Sequence, residues 1–272
     1  MKQTVLFLSS IACLNMLTHA QLDDHANEYK VPSSFSFDYK VVYQVNDEDN
    51  NTTRTMTYYF TKSGDYMGMV PPKEAERDVE FLINTKDGNM LSFMDEPSSK
   101  NQNGSQKTLT ILNMRSMLKG LGNAAKTMPQ NEKKKEHAGK DNLSDFKKTG
   151  RTKQVFGYTA EEYVKPVSGE DRNGKMHSGT VSVWYAKVDF DPEMMFSLGM
   201  GKLSGSRTHG TLQNNVFELG LTQKNYLLVE AYFIETGGKS ETGMKVIDLG
   251  KTAFNQSTTG YQVKNFNGFG TR

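Results

Sequence analysis

The feature that most constrains the fold of this chain is an alternation of apolar and polar residues over positions 34–45. The apolar members are Phe35, Phe37, Tyr39, Val41, Tyr43 and Val45. Because successive side chains of a β-strand point to opposite faces, this two-residue period predicts a strand with one face in the core. After a turn at residues 46–51, the alternation resumes over residues 53–61. The two segments together predict an antiparallel hairpin.

Short segments of the same kind recur along the rest of the chain. They lie at residues 66–70, 79–83, 90–94, 154–156, 159–164, 180–188, 216–221, 227–234 and 244–249. Closely spaced short strands with turn residues between them are typical of sandwiches, barrels and half-barrels. The chain is therefore predicted to be mainly β.

Two segments have the period of a helix, three to four residues, instead. The first covers residues 109–122, where the apolar positions are Ile111, Met114, Leu118 and Leu121. The second covers residues 192–203, where Asp191 supplies an N-cap and Pro192 the first helical position. We expect both helices to be short and to lie over the sheet.

The chain shows no internal repeat and no break in composition that divides it into two domains. We expect one β-rich domain over residues 34–250, a polar lead-in at residues 21–33 and a flexible tail at residues 251–272. A polar loop with three consecutive lysines is inserted at about residues 130–142. A solvated loop is favoured there over a segment that contacts phosphates or a membrane.

The first twenty residues predict export. Lys2 gives a positive start, residues 5–17 are largely apolar, and small residues precede a cleavage position after Ala20. Lipidation at Cys13 is the alternative, but the box before it lacks the usual Leu and the segment after it stays apolar. The apolar run is too short for a membrane span. We therefore expect a protein of the periplasm or cell envelope, without a transmembrane span after cleavage.

Composition excludes several classes of function. Lys and Arg number 33 against 31 Asp and Glu, so the formal net charge is +2 and nucleic acid is not an expected partner. Cys13 is the one cysteine, so cleavage after Ala20 leaves no disulfide, no thiol nucleophile and no cysteine-based metal site.

The sequence contains no recognisable catalytic or cofactor motif. It has no G-x-S-x-G, no H-E-x-x-H, no Ca²⁺ loop and no glycine-rich phosphate loop. His25, His137, His177 and His209 all lie in polar segments. The 15 methionines are numerous, but no M-x-x-M array suggests copper, and packing or the lining of an adaptable cavity is favoured. We therefore predict a protein that is not an enzyme and has no cofactor or metal.

Residues 149–163 form a motif, T-G-x-x-K-x-x-x-G-Y-x-x-E-x-Y, with M-T-Y-Y-F upstream and V-S-V-W-Y-A-K downstream. Together these segments resemble DUF4412, a family of exported proteins of unknown function in Bacteroidetes. The resemblance implies a fold similar to the periplasmic lipoprotein carriers, a half-barrel of curved antiparallel sheet whose concave face two short helices cover. It implies no catalytic residue. Within the motif, we expect Lys153 and Glu161 to pair across neighbouring strands.

A concave apolar face that the helices cover loosely leaves a cavity for a lipid or a hydrophobic peptide. The candidate ligand-binding residues are Phe37, Tyr39, Val41, Tyr58, Phe60, Met114, Leu118, Met194 and Met195. The alternative is an envelope scaffold protein with a fully packed core, which docks an envelope protein through a strand edge or the 130–142 loop.

Overall fold

The computed structural model of the protein describes residues 29–47, 52–71, 79–96, 106–113, 145–170, 176–197, 224–237 and 240–266. This part of the chain is almost entirely β, as predicted. Its strands are β1 Ser34–Asp47, β2 Thr52–Phe60, β3 Tyr66–Val70, β4 Val79–Thr85, β5 Asn89–Glu96, β6 Gln106–Asn113, β7 Lys147–Val155, β8 Tyr158–Glu170, β9 Met176–Lys187, β10 Tyr226–Glu235, β11 Ser240–Ser257 and β12 Gln262–Phe266. Helix α1 covers Glu193–Ser197.

The twelve strands form one sheet in the order β12-β6-β5-β4-β3-β2-β1-β11-β10-β9-β8-β7. Neighbouring strands are antiparallel, as short hairpin connections require, except for β12 and β6, which are parallel. The long strand β1 is paired on both sides, with β2 and with β11. The two end strands of the sheet are β12 and β7.

The buried apolar side chains form two clusters. The second core consists of Phe35, Phe37, Phe81, Ile83, Leu91, Phe93, Leu109 and Ile111. The first core is larger and draws on β1–β3, β8–β11 and α1; its members include Tyr39, Val41, Tyr43, Tyr58, Phe60, Met67, Val181, Val183, Tyr185, Leu228, Ala231 and Met195.

The two cores lie on opposite faces of β2. Tyr58 and Phe60 belong to the first core, whereas Tyr59 between them packs against the second. Successive strand residues point to opposite faces, so both faces of the sheet are covered at this point. On the second-core side the cover includes the start of β1 and Phe254 of β11, whose ring centroid lies 4.4 Å from that of Tyr59.

A β-bulge in β11 lies beside the point where the apolar residues of β1 pass from one core to the other. Phe37 pairs with Phe254, but Tyr39 pairs with Lys251, so β11 contains one more residue than β1 across this interval. An extra residue bends the strand and increases its twist. On one side of this interval Phe35 and Phe37 belong to the second core, and on the other side Tyr39 belongs to the first.

Two predicted elements differ from the structure. Residues 109–113 belong to strand β6 and not to a helix, because Leu109 and Ile111 point together into the second core at strand spacing. Residues 251–266 are not a flexible tail: β11 continues to Ser257 and β12 pairs with β6. Backbone pairing holds this Gly- and Asn-rich segment, and composition alone does not reveal such pairing.

Of the predicted second helix at residues 192–203, the described residues show the five-residue α1, which places Met195 in the first core; two helices that cover a concave face are not shown. The leader with Cys13 and Ala20, Met114, Leu118, the 130–142 loop and residues 198–203 and 216–221 lie outside the described residues. No helix in the described ranges is long and apolar enough to cross a membrane.

Candidate functional site

The structure brings most of the predicted ligand-binding residues together. Tyr39, Val41, Tyr58, Phe60 and Met195 lie in the first core, and each is at most 5% exposed. Met194 is half-buried against the same core, and Phe37 belongs to the second core.

The first-core side chains fill the space between them. Phe190 stacks on Tyr39, with ring centroids 4.6 Å apart, and lies 5.1 Å from the ring of Phe60. The hydroxyl of Tyr43, which is fully buried, donates to the carbonyl of Leu228 at 2.8 Å. Because a side chain without exposed surface has no free space beside it, these residues contact protein atoms and not an open cavity.

Asp189 lies at the border of this core. Its carboxylate accepts hydrogen bonds from the hydroxyls of Tyr39 at 2.6 Å and Tyr158 at 2.9 Å. The bond from Tyr39, with that from Tyr158, outweighs partial burial and lowers the pKa of Asp189. The same bond raises the pKa of Tyr39 to about 12. Asp189 therefore ties β1 to β8 just before α1.

A polar cluster lies across β7–β10, where Glu162 pairs in register with Trp184, a residue of the first core. The Glu162 cluster consists of Thr149 and Arg151 from β7, Glu162 from β8, Ser182 from β9 and Tyr232 from β10. The Glu162 side chain is fully buried. Its carboxylate accepts from the hydroxyls of Ser182 at 2.7 Å, Thr149 at 2.8 Å and Tyr232 at 3.3 Å, and from the Arg151 guanidinium at both oxygens.

These donors keep Glu162 ionised. Burial raises the pKa of a carboxyl group because it disfavours the charge. Here the hydrogen bonds from Arg151, Ser182 and Thr149, together with the charge of Arg151, outweigh burial and lower the pKa of Glu162. A carboxylate whose lone pairs are occupied by so many donors is not free to act as a general base. The arrangement instead links β7 to β8, β9 and β10.

A second ion pair extends across the same face. Lys153 of β7 pairs with Glu230 of β10, and its Nζ lies 4.2 Å from the centroid of the Trp184 ring between them. Burial lowers the pKa of Lys153, although the Glu162 carboxylate opposes this. The indole Nε1–H of Trp184 is buried and finds no acceptor among the described residues.

Sequence reasoning missed the Glu162 cluster. We expected Lys153 to pair with Glu161; this was wrong, because Glu161 pairs with Lys148 at 2.7 Å. The available signal is the spacing of Ala160, Glu162 and Val164, which places Glu162 at the buried position of an alternating strand. Glu161, the glutamate of the motif that we expected to pair with Lys153, lies on the opposite face of β8.

The outer edge of β7 is a polar surface next to the Glu162 cluster. Seven of its nine residues are exposed. It carries Lys147, Lys148, Arg151 and Lys153 and no acidic residue. Its hairpin with β8 ends in a two-residue turn at Phe156 and Gly157, where Phe156 is 49% exposed.

The described residues contain no group of three or more His, Cys, Asp or Glu side chains that could hold a metal ion. No protein-family model matches the chain, and no curated protein matches it. The resemblance to DUF4412 therefore stays a prediction.

Proposed function

We propose that the protein is an exported, non-catalytic protein of the cell envelope that binds a partner protein through the free edge of β7. The observation that carries this proposal is the end position of β7: among the described strands it pairs with β8 alone, and its residues are largely exposed. An exposed strand edge offers unpaired N–H and C=O groups to another chain.

The Glu162 cluster supports the proposal because it makes the edge rigid. Arg151 and Thr149 bind a carboxylate that also accepts from β9 and β10. An edge strand fixed in this way loses little conformational entropy when a partner binds. Packing of the first core supports the scaffold alternative over a ligand cavity, since its side chains contact one another.

Crosslinking from single cysteines tests the proposal. A photo-crosslinker is attached at Thr152→Cys on β7 and, as a control, at Gln262→Cys on β12, the other end strand; Cys13→Ala is the background. Both positions are exposed. In cell envelopes we expect a defined adduct from position 152 and none from position 262. No adduct at either position, or equal adducts at both, contradicts the proposal.

A hydrophobic ligand in a half-barrel is the second candidate. Three half-buried methionines, Met56, Met69 and Met194, border the first core, and methionine side chains adapt readily to new neighbours. Their movement would open space for an acyl chain beside Tyr58. Saturable binding of a fluorescent fatty acid by delipidated protein at micromolar concentration is the expected result. Absence of binding removes this candidate and leaves the docking function untouched.

A further inference from the structure

Resting on the proposed function, we propose that the partner contributes an extended, acidic segment that adds to β7 as a further strand and places an apolar side chain against Phe156. Three observations carry this inference: the pairing of β7, the charges along it, and the conformation of Phe156.

Strand β7 pairs with β8 from Lys147 to Val155. In an antiparallel ladder, the backbone groups that do not face one neighbour face the other side. The described residues provide no strand on that other side. An irregularity between Lys148 and Thr152, with Gly150 at a φ of 83°, interrupts the strand at its middle. The regular run beyond it, residues 152–155, is therefore the main place for a new strand to begin.

The charges along β7 select the partner. Lys148, Arg151 and Lys153 pair with carboxylates of β8 and β10, yet the side chains of Lys148 and Arg151 remain 51% and 63% exposed. Two copies of β7 side by side would bring eight cations together, and like charges on facing strands repel. Cationic side chains on an edge strand thus prevent self-pairing. The same cations attract an incoming strand that carries carboxylates.

Phe156 indicates where an apolar contact is made. It lies in the left-handed region, with a φ of 48°, and the next residue, Gly157, has a φ of 84°. This is the geometry of a type I′ turn, in which Asn or Gly normally occupies the first position. A bulky residue in this conformation is strained. The ring of Phe156 is half exposed, so its contacts within the chain offset little of this strain. Strain retained at an exposed position points to a contact outside the chain.

A peptide of alternating glutamate and valine is the probe, nine residues long to match β7. It is labelled with fluorescein, and fluorescence anisotropy measures its binding to the full chain. We expect saturable binding that weakens at least tenfold when lysine replaces glutamate. We expect a similar loss when alternate backbone nitrogens are methylated, because methylation removes the donors that pair with an edge strand. Equal binding of all three peptides overturns the inference.

Charge reversal on the protein provides the matched experiment. Lys147 and Gln154 are exposed positions of β7 outside the ion pairs described above. The double variant Lys147→Glu, Gln154→Glu should bind the glutamate peptide at least fivefold more weakly and the lysine peptide more tightly. Lys245→Glu, at an exposed position of β11, should change neither affinity. Unchanged peptide preference in the double variant contradicts the inference.

Phe156→Ala should weaken peptide binding about fivefold, and Phe156→Leu should retain most of the binding.

An anionic membrane surface is the competing partner, and vesicles containing 30% phosphatidylglycerol test it. If the protein binds these vesicles in a way that requires Phe156 and does not bind the peptide, the inference is overturned. If position 152 crosslinks to a partner but the acidic peptide does not bind, the partner is not an acidic segment, and the proposed docking function stands. If position 152 gives no crosslink, the proposed function itself is refuted.

Discussion

Glu161 and Glu162 are neighbours in the sequence, yet their side chains lie on opposite faces of β8. Glu161 pairs with the exposed Lys148, and Glu162 is enclosed by donors from β7, β9 and β10. An exposed ion pair contributes little to stability because water solvates both partners well. A buried carboxylate that loses its charge leaves its donors without an adequate acceptor. The two residues therefore form a matched pair for mutation.

We expect Glu162→Gln to lower the free energy of unfolding by about 2 kcal/mol, measured by urea denaturation at pH 7. The amide cannot accept from Ser182, Thr149 and Arg151 together. The loss is smaller than for a fully buried pair because the Arg151 side chain is 63% exposed and water can solvate it. Glu161→Gln, the control, should have a much smaller effect; equal effects would contradict the assigned role of Glu162.

The destabilisation should depend on pH. The pKa of Glu162 in the folded protein lies below the ordinary value of 4.5. Its charge therefore stabilises the folded state fully above the unfolded-state pKa, and this contribution is lost as the pH falls through the folded-state pKa. The difference between wild type and Glu162→Gln should be constant near neutral pH and decrease below about pH 4.5. A difference that grows on acidification would exclude an ionised Glu162.

We expect Phe156 to lower the free energy of unfolding, because its backbone is strained and its ring is kept for contact with a partner. Phe156→Asn should raise the free energy of unfolding by about 1 kcal/mol, because asparagine tolerates the left-handed conformation. Phe156→Ala retains a side chain that this conformation disfavours, so it should give no such gain. Thermal unfolding of both variants measures the effect. Destabilisation by Phe156→Asn would show that the ring packs productively within the chain.

At the scale of elements, aromatic rings of the second core pack directly against the backbone of β3, and Gly68 makes this possible. A Cβ at Gly68 would lie 2.4 Å from the ring of Phe81 and 2.8 Å from that of Phe37. Tyr59 and Ile83 flank Gly68 in the register of the sheet. The second core can approach β3 closely only where no side chain intervenes.

We expect Gly68→Ala to lower the free energy of unfolding by about 2 kcal/mol, as is typical of overpacking in a core. Gly250→Ala is the control, since a Cβ at Gly250 of β11 meets nothing within 4 Å. An added methyl group there should be neutral or slightly stabilising because glycine weakens a strand. Urea denaturation compares the two variants. Similar free energies of unfolding for the two variants would show that the second core rearranges to accommodate the added methyl group.

At the scale of the whole molecule, β1 links the two cores because it contributes side chains to both. We expect one cooperative unfolding transition. Trp184, the only tryptophan, reports on the β7–β10 side by fluorescence, and far-ultraviolet circular dichroism reports on all strands. Phe93→Ala in the second core should shift both signals to the same lower midpoint. A shift of the dichroism alone would show that the cores unfold independently.

The sequence by itself determined the strands whose pattern is local. The alternation at residues 34–45 corresponds to β1, because side-chain period and burial coincide there, and the segments at residues 66–70 and 227–234 lie in β3 and β10. Residues 109–113 and 251–266 could not be assigned in this way. Strand β12 pairs with β6, a partner distant in the chain, and β6 is paired on both sides, with β5 and with β12.

Tertiary structure alone decided the candidate site. The Glu162 cluster joins residues from four strands, and its ion pairs depend on the register of β7 against β8, which the irregularity between Lys148 and Thr152 shifts. The same holds for the division of β1 between two cores, which occurs where the register of β1 against β11 shifts. An extra residue in one strand bends that strand and increases its twist. Local sequence specifies which residues form strands, and long-range pairing specifies which side chains meet.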